Sequence, residues 1–124
     1  MLKNRLLFWK IISGLYTLSI FYFCLKRPSS GGVSVPHLDK VFHFSCYFLY
    51  LLLLRLSFFR KRAVWSLPYA FFFGFLIEAL QAQTSYRSFE WADMLANGLG
   101  ALCAYVLFSH FKKRVSFFHS NVDI

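Results

Sequence analysis

Asp39, His43 and Tyr47 recur at every fourth position, Asp93 and Asn97 are also four apart, and Glu78 and Gln81 are three apart. On a helix these spacings put the members of each set on one face. An imidazole beside a carboxylate can take and release a proton near neutral pH, so His43 with Asp39 is a candidate acid–base pair. Glu78 and Asp93 offer further carboxylates, and Gln81 and Asn97 offer amides. Arg87 and Lys40 can hold an anionic group, Arg87 by two parallel hydrogen bonds. A mixed Asp/His/Glu set can also hold a divalent metal, but one histidine and carboxylates scattered along the chain are a weak form of that signal. No metal and no cofactor is therefore expected. Cys24, Cys46 and Cys103 are odd in number, lie in apolar runs and include no CxxC pair. Small buried hydrophobes are the expected role for them, not a disulfide framework or a zinc centre. No Ser or Cys stands where a nucleophile would.

The elements that must position these residues are almost entirely apolar. Hydrophobic residues make up 58% of the 124 residues and charged residues 15%, with 17 Phe and 7 Tyr. A typical soluble domain carries roughly 25% charged residues, and one this small could not hide so much apolar surface from water. Four runs have the length that a bilayer core demands, about 20 residues each: residues 6–25, 41–59, 63–83 and 91–111. The first is too long for a signal-peptide core and no A-x-A cleavage site follows it, so a retained helix is expected. Pro28, Pro36 and the Ser/Gly stretch between them break the chain before the second span. Pro68 falls in the first turns of the third, where a lost hydrogen bond is tolerable. Ala96, Gly100 and Ala104 form a small-residue seam suited to close helix packing. Trp65, Tyr86 and Trp91 suit the interfacial aromatic belt.

The net charge of +9 would fit nucleic-acid binding only if it formed a stripe. Here Lys and Arg gather in clumps between apolar runs, as in cytoplasmic loops of membrane proteins, and no nucleic-acid partner is expected. With the N-terminus inside, Lys3, Arg5, Arg60, Lys61, Arg62, Lys112, Lys113 and Arg114 lie inside, against Lys26, Arg27, Lys40 and Arg87 outside. The fold expected is therefore an all-α, integral membrane four-helix bundle, N-in/C-in, formed by the single domain 1–124. In that arrangement Asp39, His43, Glu78, Gln81, Arg87, Asp93 and Asn97 share one depth near the outer face. Glu78 lies roughly 8 Å inside the end of its helix, after hydrophobic turns. Ionisable groups at such depth usually face the bundle interior and mark function. The plain alternative is helix glue, in which each polar contact contributes roughly 0.6–2 kcal/mol and does nothing more.

At these residues the chain resembles a known family. DKVFHFSCYFLYLLL resembles the D-K-x-x-H-F-x-x-Y opening of VanZ-like membrane proteins. GFLIEALQAQTSYRSFEWADMLANGLGALCAY resembles their G-x-x-x-E-x-x-Q, then R, then D-x-x-x-N-x-x-G signature. Order and spacing match over residues 39–105, while the first span matches only in hydropathy. By position, the family's polar residues fall on Asp39, Lys40, His43, Tyr47, Glu78, Gln81, Arg87, Asp93 and Asn97, beside Gly98 and Gly100. The resemblance implies a multi-pass protein of the bacterial cytoplasmic membrane, and the family's namesake is associated with resistance to the glycopeptide teicoplanin. It implies no particular reaction. Two functions fit the residues. One is a non-enzymatic envelope module, surrounded by membrane lipids, that binds a lipid headgroup, cell-wall precursor or amphiphile. Lys40, Tyr47, Gln81, Arg87, Asp93 and Asn97 would be its ligand-binding set. The other is an intramembrane enzyme on a lipid-linked or envelope substrate, with His43 as acid–base group, Asp39 orienting it, Glu78 as a second acid–base group or, with Asp93, a metal ligand, and Arg87 stabilising developing negative charge. A transporter or proton path is a third reading, and four helices with no broken segment at mid-depth argue against a monomeric one.

Overall fold

In the computed structural model four α-helices account for nearly the whole chain: α1 (Leu2–Leu25), α2 (Leu38–Ser57), α3 (Ser66–Ala82) and α4 (Trp91–Arg114). The structure describes residues 2–27, 35–58 and 60–114. The middle of the first loop, where Pro28 and the Ser/Gly stretch were expected to break the helix, and the tail after residue 114, which shows no strong sequence pattern, lie outside the described residues. Lys3–Leu25, Leu38–Ser57, Arg62–Ala82 and Trp91–Phe111 are each long and apolar enough to cross a membrane. The chain is a multi-pass membrane protein.

The helices begin and end where local chemistry dictates. α1 starts before its apolar run because Lys3 and Arg5 are themselves good helix formers. Likewise α2 starts at Leu38, three residues ahead of the expected span. Asp39 in its first turn complements the positive end of the helix dipole. His37 precedes it with φ 62°, the left-handed turn that swings the chain into the helix. Between α2 and α3, Arg60–Trp65 winds as a 3-10 helix, so the α-helical part of the third span starts at Ser66. Pro68 is then the third helical residue, where a backbone N–H has no intrahelical partner to lose.

The packing inverts the pattern of a water-soluble bundle. Phe8, Leu18, Tyr22, Phe72, Leu95 and Val106 face outward, while Ser66, Glu78, Gln81 and Asn97 are buried. Outward apolar side chains are stable in hydrocarbon, and polar ones are stable only where protein surrounds them. The core gathers Tyr47, Tyr50, Leu51 and Leu54 of α2, Ala70, Phe73 and Ile77 of α3, and Ala101 and Ala104 of α4. α2 is the central helix, packed against each of the other three, most extensively against α4. Small residues allow this closeness. A Cβ placed on Gly100 would collide with the backbone carbonyl of Phe44, and Ala96 and Ala104 of the same seam are buried.

Two polar ties hold the helices in register. Ser57 of α2 donates to a carbonyl of its own helix, Leu53 O at 2.7 Å, lies 3.0 Å from Trp9 O of α1 and meets Ser13 Oγ of α1 at 2.5 Å. At the opposite end Gln81 Nε2 of α3 donates to Cys24 O of α1 at 2.7 Å, and Tyr86 OH donates to Leu25 O at 2.5 Å. That second end carries both the 26–37 and the 83–90 connections, and is called here the two-loop end.

Candidate functional site

Three helices deliver the polar residues to the two-loop end. On α2, His43 and Tyr47 are buried on the face toward α3 and α4. Asp39 and Lys40, in the first turn, reach the rim. On α3, Glu78 and Gln81 point inward, at 0% and 1% exposure. On α4, Asp93 and Asn97 do the same one turn apart, above Ala101. The face shared by Asp93, Asn97 and Ala101 is the small-residue side of α4, so the polar set rides on the most extensive helix contact among the described residues. Gly74 makes room for it. A Cβ there would stand 3.2 Å from the Tyr47 ring and 3.5 Å from the Asn97 side chain.

His43 is held from both sides. Its Nδ1 lies 2.9 Å from Asn97 Oδ1. An amide oxygen only accepts, so in this contact Nδ1 is the donor. Nε2 faces Asp93 Oδ2 at 3.4 Å, and the Nδ1 edge lies 3.9 Å from Glu78 Oε1. Asp39 was expected to orient this ring. It turns to Lys40 at 2.5 Å instead, because at the helix start its side chain reaches water, and Asn97 fixes the ring in its place. Lys40 Nζ also lies 2.7 Å from Glu90 Oε2 and 2.6 Å from Asp93 Oδ1. One ammonium thus gathers three carboxylates at the rim, and Asp93 is split between Lys40 and His43.

Below the rim, several buried polar atoms have no hydrogen-bond partner: both oxygens of Glu78, the Tyr47 hydroxyl, Asn97 Nδ2 and Arg87 Nε. Leaving a buried polar atom unsatisfied costs about 1–3 kcal/mol, so several in one place mark where something polar belongs. The electrostatic neighbours of the Glu78 carboxylate are Asp93, Arg87 and the backbone N–H of Glu90. A polar cavity of about 510 Å³ at the same end is lined by Asp39, Gln81, Ser85, Tyr86, Arg87, Ser88, Glu90 and Asp93. A second, apolar groove of about 300 Å³ runs along the outside of α3 and α4 from Trp91 to Leu102 over Phe71 and Gly98.

The structure therefore brings His43, Glu78, Asp93 and Asn97 into one buried cluster. Tyr47 and Gln81 flank it, Arg87 lies at its wall, and Asp39 and Lys40 lie at its rim. Sequence reasoning passed over Glu90, Ser85 and Ser88. Glu90 carried a usable signal, since it stands three residues before Asp93 at the start of a helix. Its carbonyl accepts the Asp93 and Met94 N–H groups, both at 3.1 Å. The serines carried none, because loop serines are common and only the fold turns these toward the cavity.

A family model described as VanZ/LLP1 matches residues 3–112. Among curated proteins and among solved structures, none matches the chain.

Proposed function

The chain belongs to the VanZ/LLP1 family, and from that premise we propose that its two-loop end binds the polar headgroup of an envelope amphiphile, a lipid or a lipid-linked cell-wall precursor. The end in question is taken as the outer face of a bacterial cytoplasmic membrane, as the distribution of Lys and Arg favours. The observation that carries the reading is the polar cavity of about 510 Å³ lined by Asp39, Gln81, Arg87, Glu90 and Asp93 among others, in which the buried Nε of Arg87 has no hydrogen-bond partner within the protein. A headgroup with hydroxyls or amides answers the carboxylates, Gln81 and the serines. Arg87, with its Nε buried and unpaired, answers a phosphate. Lys40, already shared by three carboxylates, clamps the rim in this reading. The groove from Trp91 to Leu102 gives an attached acyl chain a path along the lipid-facing surface, which favours an amphiphile over a free solute. A link to glycopeptide resistance of the teicoplanin type would follow from sequestering such a precursor.

Native mass spectrometry of the protein exchanged through mild detergent tests the proposal. The wild type should retain a phosphate-bearing lipid. Arg87→Ala should bind it about tenfold to a hundredfold more weakly, the loss of one charge-assisted hydrogen-bonded contact. Equal retention by the two proteins, or none by either, would remove the headgroup reading.

An enzymatic reading of the same site draws on one observation. His43 Nε2 is aimed at Asp93 with its other nitrogen fixed by Asn97, the arrangement of an oriented acid–base group. Under it His43→Gln abolishes turnover of the bound amphiphile and leaves its binding nearly intact. Turnover that survives at full rate would exclude His43 from that role.

A further inference from the structure

We propose that His43, Glu78 and Asp93 form a binding site for a divalent transition-metal ion of the Zn²⁺ or Mn²⁺ class, buried between α2, α3 and α4. The inference does not depend on whether the cavity above takes a headgroup. One ligand atom from each of the three residues lies within 4.8 Å of the others, and all three residues are buried. Two carboxylates and a neutral imidazole supply two negative charges to match a dication. The donor mixture of one nitrogen and two oxygens suits Zn²⁺ or Mn²⁺ better than a thiolate-seeking ion.

The internal geometry separates a metal site from a hydrogen-bonded cluster. His43 Nε2 and Asp93 Oδ2 are 3.4 Å apart, long for a hydrogen bond. Two donors each about 2.1 Å from one ion at the tetrahedral angle are about 3.4 Å apart. The Nδ1–H bond to Asn97 Oδ1 at 2.9 Å does what the outer partner of a metal-bound histidine does: it fixes the tautomer and points the lone pair of Nε2 inward. Lys40 holds the other oxygen of Asp93 at 2.6 Å, a second outer contact. Glu78 is the independent sign. It is 0% exposed, neither carboxylate oxygen has a hydrogen-bond partner, and one of them stands 3.9 Å from His43 Nδ1.

The second acidic group, Asp39, Glu90 and Asp93, makes the contrast. Two of its members are exposed, and Lys40 Nζ already stands within 2.7 Å of a carboxylate oxygen of each. Its charge is met by a directly contacting ammonium, whereas the Glu78 oxygens have no hydrogen-bond partner.

The test uses the full chain in detergent, stripped with a chelator and titrated with Zn²⁺ or Mn²⁺ alone, bound metal being counted by elemental mass spectrometry. Mn²⁺ paramagnetic resonance reports the same occupancy. The wild type should take up about one ion per chain with micromolar or tighter affinity, about 8 kcal/mol or more. Glu78→Gln should weaken uptake by at least about a hundredfold, and Asn97→Ala by about tenfold to a hundredfold through the loosened imidazole. Glu90→Gln, which alters only the rim, should bind as the wild type does. No stoichiometric uptake by the wild type overturns the site outright, whatever the variants do, and is the result expected if a shared proton alone relieves the repulsion between Glu78 and Asp93. Uptake lost in Glu90→Gln and kept in Glu78→Gln would move the ion to the rim and overturn the assignment equally.

Discussion

Glu78 has the most demanding surroundings of any of the described residues. Burial at 0% exposure with both oxygens unpartnered requires a bound cation, a proton or a polar ligand to offset the lost hydration. An amide in its place keeps the shape and removes the charge. Glu78→Gln should therefore insert and purify as a monodisperse protein of wild-type or higher thermal stability, yet lose retention of the bound lipid by at least about tenfold. Glu78→Asp keeps the charge and shortens the reach by one methylene, so partial retention is expected. A Gln variant with full retention would return Glu78 to a packing role. His43 makes a different prediction because its bond to Asn97 is internal. Asn97→Leu should cost about 1–3 kcal/mol of stability, the penalty for stranding the buried Nδ1–H, readable as a lowered midpoint in thermal unfolding in detergent.

At the scale of the helices, closeness between α2 and α4 decides whether the site exists. Gly100 is the position where that closeness is greatest, since a Cβ there meets the Phe44 backbone rather than a movable side chain. Phe44 follows His43 directly, so pushing the helices apart at this point displaces the imidazole from Asn97 and Asp93. Gly100→Ala should destabilise the bundle by about 1–3 kcal/mol and reduce lipid retention together with stability. Gly14 of α1 is the control, because nothing lies within 4 Å of its added Cβ. Gly14→Ala should be neutral or stabilising by up to about 1 kcal/mol. Equal effects of the two substitutions in a thermal unfolding series would show that helix propensity, not the α2–α4 contact, governs the result. Gly98 is expected between them, since its added Cβ meets only the ring of Phe71, which is exposed and free to turn.

For the whole molecule the deciding fact is which face the two-loop end meets. Four spans with the first and third connections, 26–37 and 83–90, at one end put the second connection, the N-terminus and the C-terminal end of α4 together at the other. The clumps at Arg60–Arg62 and Lys112–Arg114 belong to that other end, and favour its being cytoplasmic. In a chain whose Cys24, Cys46 and Cys103 are replaced, a single cysteine at Ser85 should react with an impermeant thiol reagent added to intact cells. One at Lys61 should react only after permeabilisation. The reverse pattern would put the polar cavity in the cytoplasm and remove the outer-leaflet ligand from consideration.

The amino-acid sequence by itself determined the class of the fold. Twenty-residue apolar runs can satisfy their backbones in hydrocarbon only as helices, and the helices lie where those runs are. Spacing alone also put His43 with Tyr47 and Asp93 with Asn97 on common faces, because an α-helix repeats every 3.6 residues. Helix starts were less legible: α2 begins at Leu38 and α3 at Ser66, since dipole, cap and 3-10 geometry act over single turns that hydropathy does not resolve. What only the tertiary structure decided is partnership. His43 lies one helical turn from Asp39, yet it is bonded to Asn97 and faced by Asp93, residues of another helix. Lys40 is drawn to Glu90 across the gap between α2 and the 83–90 loop. Those pairings depend on how near α2 and α4 can come, and that distance is set by the absence of one side chain at Gly100, a three-dimensional fact that local spacing along the chain does not contain.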